Sequence, residues 1–169
     1  VPARVTSADV NRDGHPDLIA VNGESPGEIS VLLGDGAGHF QPRAVYAAGK
    51  YPQAVGAADV NGDSFVDIIA GNIGSFNQGY ERTVSVLLGR GDGTFHPATK
   101  LDTGGRPRAV AIADFTGDGK ADILTVNTDD TALGNSYSLL AGNGDGTFAA
   151  RVDRMLGFAP EDVGAGDLN

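Results

Sequence analysis

Short apolar runs recur along this chain at regular intervals. Leu18-Ile-Ala-Val-Asn22, Ile68-Ile-Ala-Gly-Asn72 and Ile123-Leu-Thr-Val-Asn127 are β-branched, bounded by Asn and Gly, and read as strands. A second set, Ile29-Ser-Val-Leu-Leu33, Val84-Ser-Val-Leu-Leu88 and Tyr137-Ser-Leu-Leu-Ala141, alternates. Each of these leads into a glycine-rich segment, Gly34-Asp-Gly-Ala-Gly-His-Phe40, Gly89-Arg-Gly-Asp-Gly-Thr-Phe95 or Gly142-Asn-Gly-Asp-Gly-Thr-Phe148, which reads as a hairpin turn. Four strands are expected per repeat: about 3–10, 17–22, 28–34 and 39–48, then 54–60, 67–72, 83–89 and 94–103, then 109–115, 122–127, 136–142 and 147–156. Four antiparallel strands at a period of 50 to 55 residues describe a β-propeller blade.

The polar positions carry the chemistry. Before the second strand of each repeat stands a nine-residue oxygen pattern: Asp9, Asn11, Asp13 and Asp17; Asp59, Asn61, Asp63 and Asp67; Asp114, Thr116, Asp118 and Asp122. Side chains at positions 1, 3, 5 and 9, with the backbone carbonyl of position 7 (His15, Phe65 or Lys120), can wrap one hard cation in oxygen, as calcium requires. An EF-hand would need an acid at position 12, where this chain has Ala20, Ala70 and Thr125, so the loops join strands and not helices. Asp, Asn and Gly also cluster in ordinary turns. Three copies in register, each with three mutually repelling carboxylates, favour the metal. Site one is expected to bind tightest, because site two has Ser64 at the tight-turn position filled by Gly14 in site one, and site three has the Thr116 hydroxyl in place of an amide.

The paired motifs D-x-N-x-D-G-x-x-D and L-L-G-x-G-D-G-T-F resemble the FG-GAP or VCBS repeats of integrin-α-like β-propellers, over almost the whole chain. The resemblance implies calcium in the loop between the first two strands of each blade, and a secreted or cell-surface protein. The expected architecture is all-β and forms a single propeller segment over 1–169. Blade 1 spans about 3–48, blade 2 about 54–103 and blade 3 about 109–156, with the first strand of a fourth at about 161–169. Asp162-Val-Gly-Ala-Gly-Asp167-Leu-Asn169 matches Ala54 to Asn61. Propellers have roughly four to eight blades. Further blades of a longer chain, or partner copies of this one, are therefore expected to close the ring, since open repeats leave apolar faces and strand edges uncovered.

Charge and composition narrow the function. Nine of the 22 acidic residues lie in the three loops, and three calcium ions would bring the formal net charge of −10 to −4. Nucleic-acid binding, which needs a basic surface, is not expected. No run approaches the roughly 20 apolar residues of a membrane span. With no cysteine, a calcium-stapled module is expected to work outside the cytoplasm, where calcium is abundant. Catalysis is not expected either: His15, His39 and His96 fall at scattered repeat positions, and there is no cysteine to act as a nucleophile. Arg90-Gly91-Asp92 spells a tripeptide that integrins recognise, but the next repeat has Asn143-Gly144-Asp145 in the same slot, so the turn itself explains it.

The connections between the second and third strands vary most, and binding residues favour such loops over a rigid scaffold. Phe76, Tyr80 and Arg82 form the candidate ligand surface, suited to a sugar or a protein partner, although the two aromatics could instead fold back over the blade edge. The expected function is a calcium-rigidified recognition or structural module of an extracellular protein. The alternative is a carbohydrate-active propeller, a lectin or a polysaccharide lyase, using these connections.

Overall fold

A computed structural model describes residues 2–75, 77, 79–128 and 135–166. Twelve strands and no helix occur among these residues, arranged as three four-stranded antiparallel sheets. The first sheet holds β1 (Pro2–Ala8), β2 (Asp17–Asn22), β3 (Glu28–Leu32) and β4 (Ala44–Ala47), in that spatial order. The second holds β5 (Pro52–Ala58), β6 (Asp67–Ser75), β7 (Gly79–Leu87) and β8 (Thr99–Asp102), and the third β9 (Arg106–Ala113), β10 (Asp122–Thr128), β11 (Ser136–Leu140) and β12 (Val152–Met155). These are partial propeller blades. The first strands β1, β5 and β9 lie side by side at the inner ends of the sheets.

The expected outer strands are shorter than the sequence suggests. After each glycine turn, Phe40, Phe95 and Phe148 make only an isolated bridge to Gly34, Gly89 and Gly142, and pairing resumes several residues later. Conversely, β6 and β7 run past Asn72 and begin before Thr83, pairing Gly74 with Tyr80 and Ser75 with Gly79. The long second connection is thus mostly hairpin, and Tyr80 and Arg82 stand on β7.

The core lies between the sheets. One cluster joins Ile19, Val21, Ile29 and Val31 of the first blade to Ile68, Ala70, Leu87 and Phe95 of the second. Another joins Ile69, Val84 and Val86 of the second to Ile123 and Leu140 of the third. This explains the two burial patterns: β2 alternates buried with half-buried residues, while Asp67–Asn72 of β6 is buried at every position because its sheet is covered on both faces.

Repeat-equivalent residues reveal which faces lack a neighbour. Val10 and Val60 are 2% and 1% exposed because a following blade covers them, whereas their equivalent Phe115 is 38% exposed. Val55 and Val110 pack into the two cores, while their equivalent Val5 is 63% exposed on the far side of the first blade. Each terminal sheet therefore presents an open apolar face.

A buried polar pair anchors the segment that enters each of the last two blades. Asn72 Nδ2 donates to Ser85 Oγ at 3.0 Å and Asn127 Nδ2 to Ser138 Oγ at 2.8 Å. The segment entering each blade docks on this pair: the Gly49 amide donates to Asn72 Oδ1 at 3.0 Å and the Gly104 amide to Ser138 Oγ at 2.8 Å. Such groups are tolerated in the interior because they satisfy one another.

Candidate metal centres

Each acidic loop is wound around its first residue. The position-6 amides of Gly14, Ser64 and Gly119 donate to the Oδ2 atoms of Asp9, Asp59 and Asp114 at 2.8, 2.8 and 2.7 Å. The position-7 amides of His15, Phe65 and Lys120 donate to Asp13, Asp63 and Asp118 at 2.8, 2.8 and 3.0 Å. In the first two loops position 3 joins this network: Asn11 Oδ1 accepts from the Asp13 amide and Asn61 Oδ1 from the Asp63 amide, both at 3.1 Å, and each Asn Nδ2 donates to the same Asp at 2.8 Å. Thr116 has no amide to repeat this, and the Asp118 amide keeps only the bond to Asp114 Oδ1 at 3.1 Å that the Asp13 amide also makes to Asp9 Oδ1 at 3.2 Å.

The ninth-position carboxylates have a second task that the spacing does not disclose. Asp17, Asp67 and Asp122 are fully buried, and each clamps its loop to the glycine turn of the same blade. Asp17 accepts from the Val10 and Gly34 amides at 2.8 Å each, Asp67 from Val60 at 2.8 Å and Gly89 at 2.7 Å, and Asp122 from Phe115, Thr116 and Gly142 at 2.9, 2.9 and 2.8 Å. The turn glycine cannot be larger, because a Cβ at Gly34, Gly89 or Gly142 would strike the position-8 carbonyl of Pro16, Val66 or Ala121. The rings of His15 and Phe65 and the stem of Lys120 lie over Gly36, Gly91 and Gly144. The two sequence motifs travel together because they are halves of one packed unit.

Neighbouring units also touch. The Gly93 amide of the second turn donates to the Val10 carbonyl of the first loop at 3.1 Å, and the Arg12 guanidinium lies 5.4 Å from the centre of the Phe65 ring.

The backbone changes the comparison among the three loops. Positions 4 and 6 are both left-handed: Arg12 (φ 61°) and Gly14 (84°), Gly62 (76°) and Ser64 (68°), Gly117 (76°) and Gly119 (83°). The strain expected at Ser64 is present, but Arg12 carries the same kind of strain in the loop with the fullest ligand set. Only the third loop has glycine at both positions, and there the Lys120 Nζ lies 3.6 Å from Asp118 Oδ2, pairing with that candidate carboxylate.

The electrostatics differ with depth. Burial raises the Asp67 carboxyl above its ordinary range against the pull of the Gly89 and Val60 amides, and the nearby Asp63 and Asp59 push it further. At the surface, the Asn11 amide and His15 N–H hold Asp13 low, and the Gly119 and Gly117 amides hold Asp114 low. Among the described residues no three carboxylate or imidazole groups meet at one point, since the loop acids are turned onto backbone amides. The donor chemistry nevertheless fits a hard cation: each nine-residue loop contributes oxygen side chains, and in the second the Asp59 and Asp63 carboxylates help to raise Asp67.

The candidate ligand surface is only partly assembled. Phe76 lies outside the described residues, as do 129–134 of the third connection and 167–169 of the fourth acidic loop. Tyr80 is exposed, with the Arg106 guanidinium 4.5 Å from its ring centre, while Arg82 is half-buried within β7. At the Arg90-Gly91-Asp92 tip, Asp92 is tied down by the Thr94 amide at 2.9 Å and the Thr94 hydroxyl at 2.6 Å, so its carboxylate serves the turn. The profile described as FG-GAP-like repeat matches residues 9–70 and 71–125, each match running from one blade into the next or across the middle of a sheet. No curated protein matches the chain.

Proposed function

The chain belongs to the FG-GAP-like repeat family, and from that premise we propose that it is a calcium-rigidified recognition or structural module of an extracellular protein. Proteins carrying these repeats are typically extracellular, and no helix among the described residues is long and apolar enough to cross a membrane. Asp9, Asn11, Asp13 and Asp17 with the His15 carbonyl would hold the first ion. Asp59, Asn61, Asp63, Asp67 and the Phe65 carbonyl would hold the second, and Asp114, Thr116, Asp118, Asp122 and the Lys120 carbonyl the third. Bound calcium supplies positive charge that offsets carboxylate repulsion.

The observation that carries this reading is the fully buried aspartate closing each loop. It pins the loop to its blade, so an ion bound there would stiffen the sheet and the contact with the next blade. The module's role is structural or recognitional and not catalytic. The open faces around Phe115 and Val5 favour further blades of the same kind, or copies of this chain, as the partners that complete the ring. Glycan or protein recognition through Tyr80 and its neighbours is the subsidiary role.

Thermal unfolding in millimolar calcium, in excess chelator and in magnesium tests the proposal. A ligand at a hundred times its dissociation constant adds about 2.7 kcal/mol. For a chain of this size that is a rise of roughly 5–11 °C per site. A calcium-specific rise supports the reading, and equal midpoints in calcium and chelator overturn it.

A further inference from the structure

At the inner ends of the sheets, the start of each first strand carries a β-bulge. The pairing of β1 skips Ala3, that of β5 skips Gln53 and that of β9 skips Arg108, leaving these residues outside the ladder. Bulges re-aim side chains. Arg4, Gln53 and Arg108, with Glu161, line one cavity of about 210 Å³. Arg4 and Arg108 continue along an adjoining cavity of about 150 Å³ floored by Val5, Ala54, Val55, Ala109 and Val110, with Asp162 on its lining. Three blades thus direct polar groups to one place beside the inner strands.

Three properties distinguish this place from ordinary surface. First, neither guanidinium nor the Gln53 amide makes a hydrogen bond or ion pair among the described residues. Second, it lies away from the acidic loops, and although Glu161 and Asp162 line it, neither forms an ion pair with Arg4 or Arg108 among the described residues. Arg4 precedes Asp9 by five residues and Arg108 precedes Asp114 by six, so at roughly 3.3 Å per residue the acidic loops are ~15–20 Å away. That exceeds the Debye length of about 8 Å at physiological salt, so the loops do not neutralise the arginines. Third, the donors are of two kinds: two forked guanidinium groups that match a carboxylate bidentately, beside an amide and a carboxylate that can bond hydroxyls.

We infer that this inner-strand cavity binds a hydroxylated carboxylate, with Arg4 and Arg108 on the carboxylate and Gln53 and Glu161 on the hydroxyls. A sugar acid has this chemistry. Glu161 limits the site: it repels a second anion and disfavours simple inorganic anions. The site is separate from the acidic loops and does not depend on metal being bound there.

The test is calorimetric titration of the chain with sodium glucuronate at fixed ionic strength, with glucose as the uncharged control, in calcium and again in chelator. Saturable binding of glucuronate and none of glucose is expected. Arg4→Gln and Arg108→Gln should each weaken it about tenfold, with unchanged thermal midpoints because both side chains are exposed. Glu161→Gln should tighten the binding of acetate, which has no hydroxyl to offer, severalfold. Absence of saturable binding, equal binding of glucose, or indifference to both arginine substitutions would overturn the assignment.

Discussion

Asp122→Asn separates the two tasks assigned to the ninth loop position. The carboxylate is fully buried and accepts three backbone N–H groups, from Phe115, Thr116 and Gly142. An amide of the same shape keeps one oxygen, which can serve Phe115 and Thr116 together, and turns an NH2 group toward the Gly142 amide. The Gly142 amide is then left without an acceptor, facing the new NH2 donor, at a cost of about 1–3 kcal/mol for the lost acceptor. Near the middle of that range, ~2 kcal/mol corresponds to a midpoint roughly 4–8 °C lower for a chain of this length. Thermal unfolding followed by circular dichroism in excess chelator measures this without any contribution from metal. Asp118→Asn is the matched control, because Asp118 is exposed and accepts only the Lys120 amide at 3.0 Å within its loop. It should change the chelated midpoint little and diminish the calcium-induced rise. An Asp122→Asn midpoint equal to wild type in chelator would refute the clamp, and with it the physical link between loop and glycine turn.

Gly89→Ala should destabilise the chain by more than 2 kcal/mol in denaturant titration, because its Cβ would overlap the Val66 carbonyl; a neutral result would show that the turn can move aside. Ser64→Gly should stabilise by about 1 kcal/mol by relieving a left-handed φ, Arg12→Gly by less because it also gives up the contact with the Phe65 ring, while Gly119→Ala should cost about 1 kcal/mol; chemical denaturation in chelator reads all three. The raised Asp67 carboxyl means that the folded state holds this proton more tightly than the unfolded one, so the group favours folding at acid pH and opposes it as pH rises through its folded value. In chelator, the stability of wild type relative to Asp67→Asn should therefore fall as pH is raised from about 4 to 7. Replacing Phe115 and Val5 by Ser should reduce self-association in sedimentation velocity if the open faces are sticky, whereas unchanged association would place the contact elsewhere.

The sequence by itself determined the repeat, the strand order and the oxygen-rich loops, because these are local properties. Alternation in Ile29–Leu33 writes a strand, Gly-x-Gly-x-Gly writes a turn that needs positive φ, and nine residues suffice to place Asp9, Asn11, Asp13 and Asp17 in one loop. Where local pattern and pairing disagreed, pairing prevailed: β6 and β7 extend through a segment rich in glycine and polar residues because each edge finds a partner. Tertiary structure alone decided that Asp17, Asp67 and Asp122 are buried clamps, since their partners Gly34, Gly89 and Gly142 lie about 20 residues away and a carboxylate's spacing says nothing of which amides surround it. It also decided which of three equivalent apolar residues are core. Val10, Val60 and Phe115 occupy one repeat position, but burial depends on the next blade being present to exclude water, and that neighbour is a property of the assembly and not of the residue. The grouping of Arg4, Gln53 and Arg108 has the same origin. They are some fifty residues apart in sequence and meet only because three inner strands lie side by side, with Gln53 and Arg108 at bulges and Arg4 next to one.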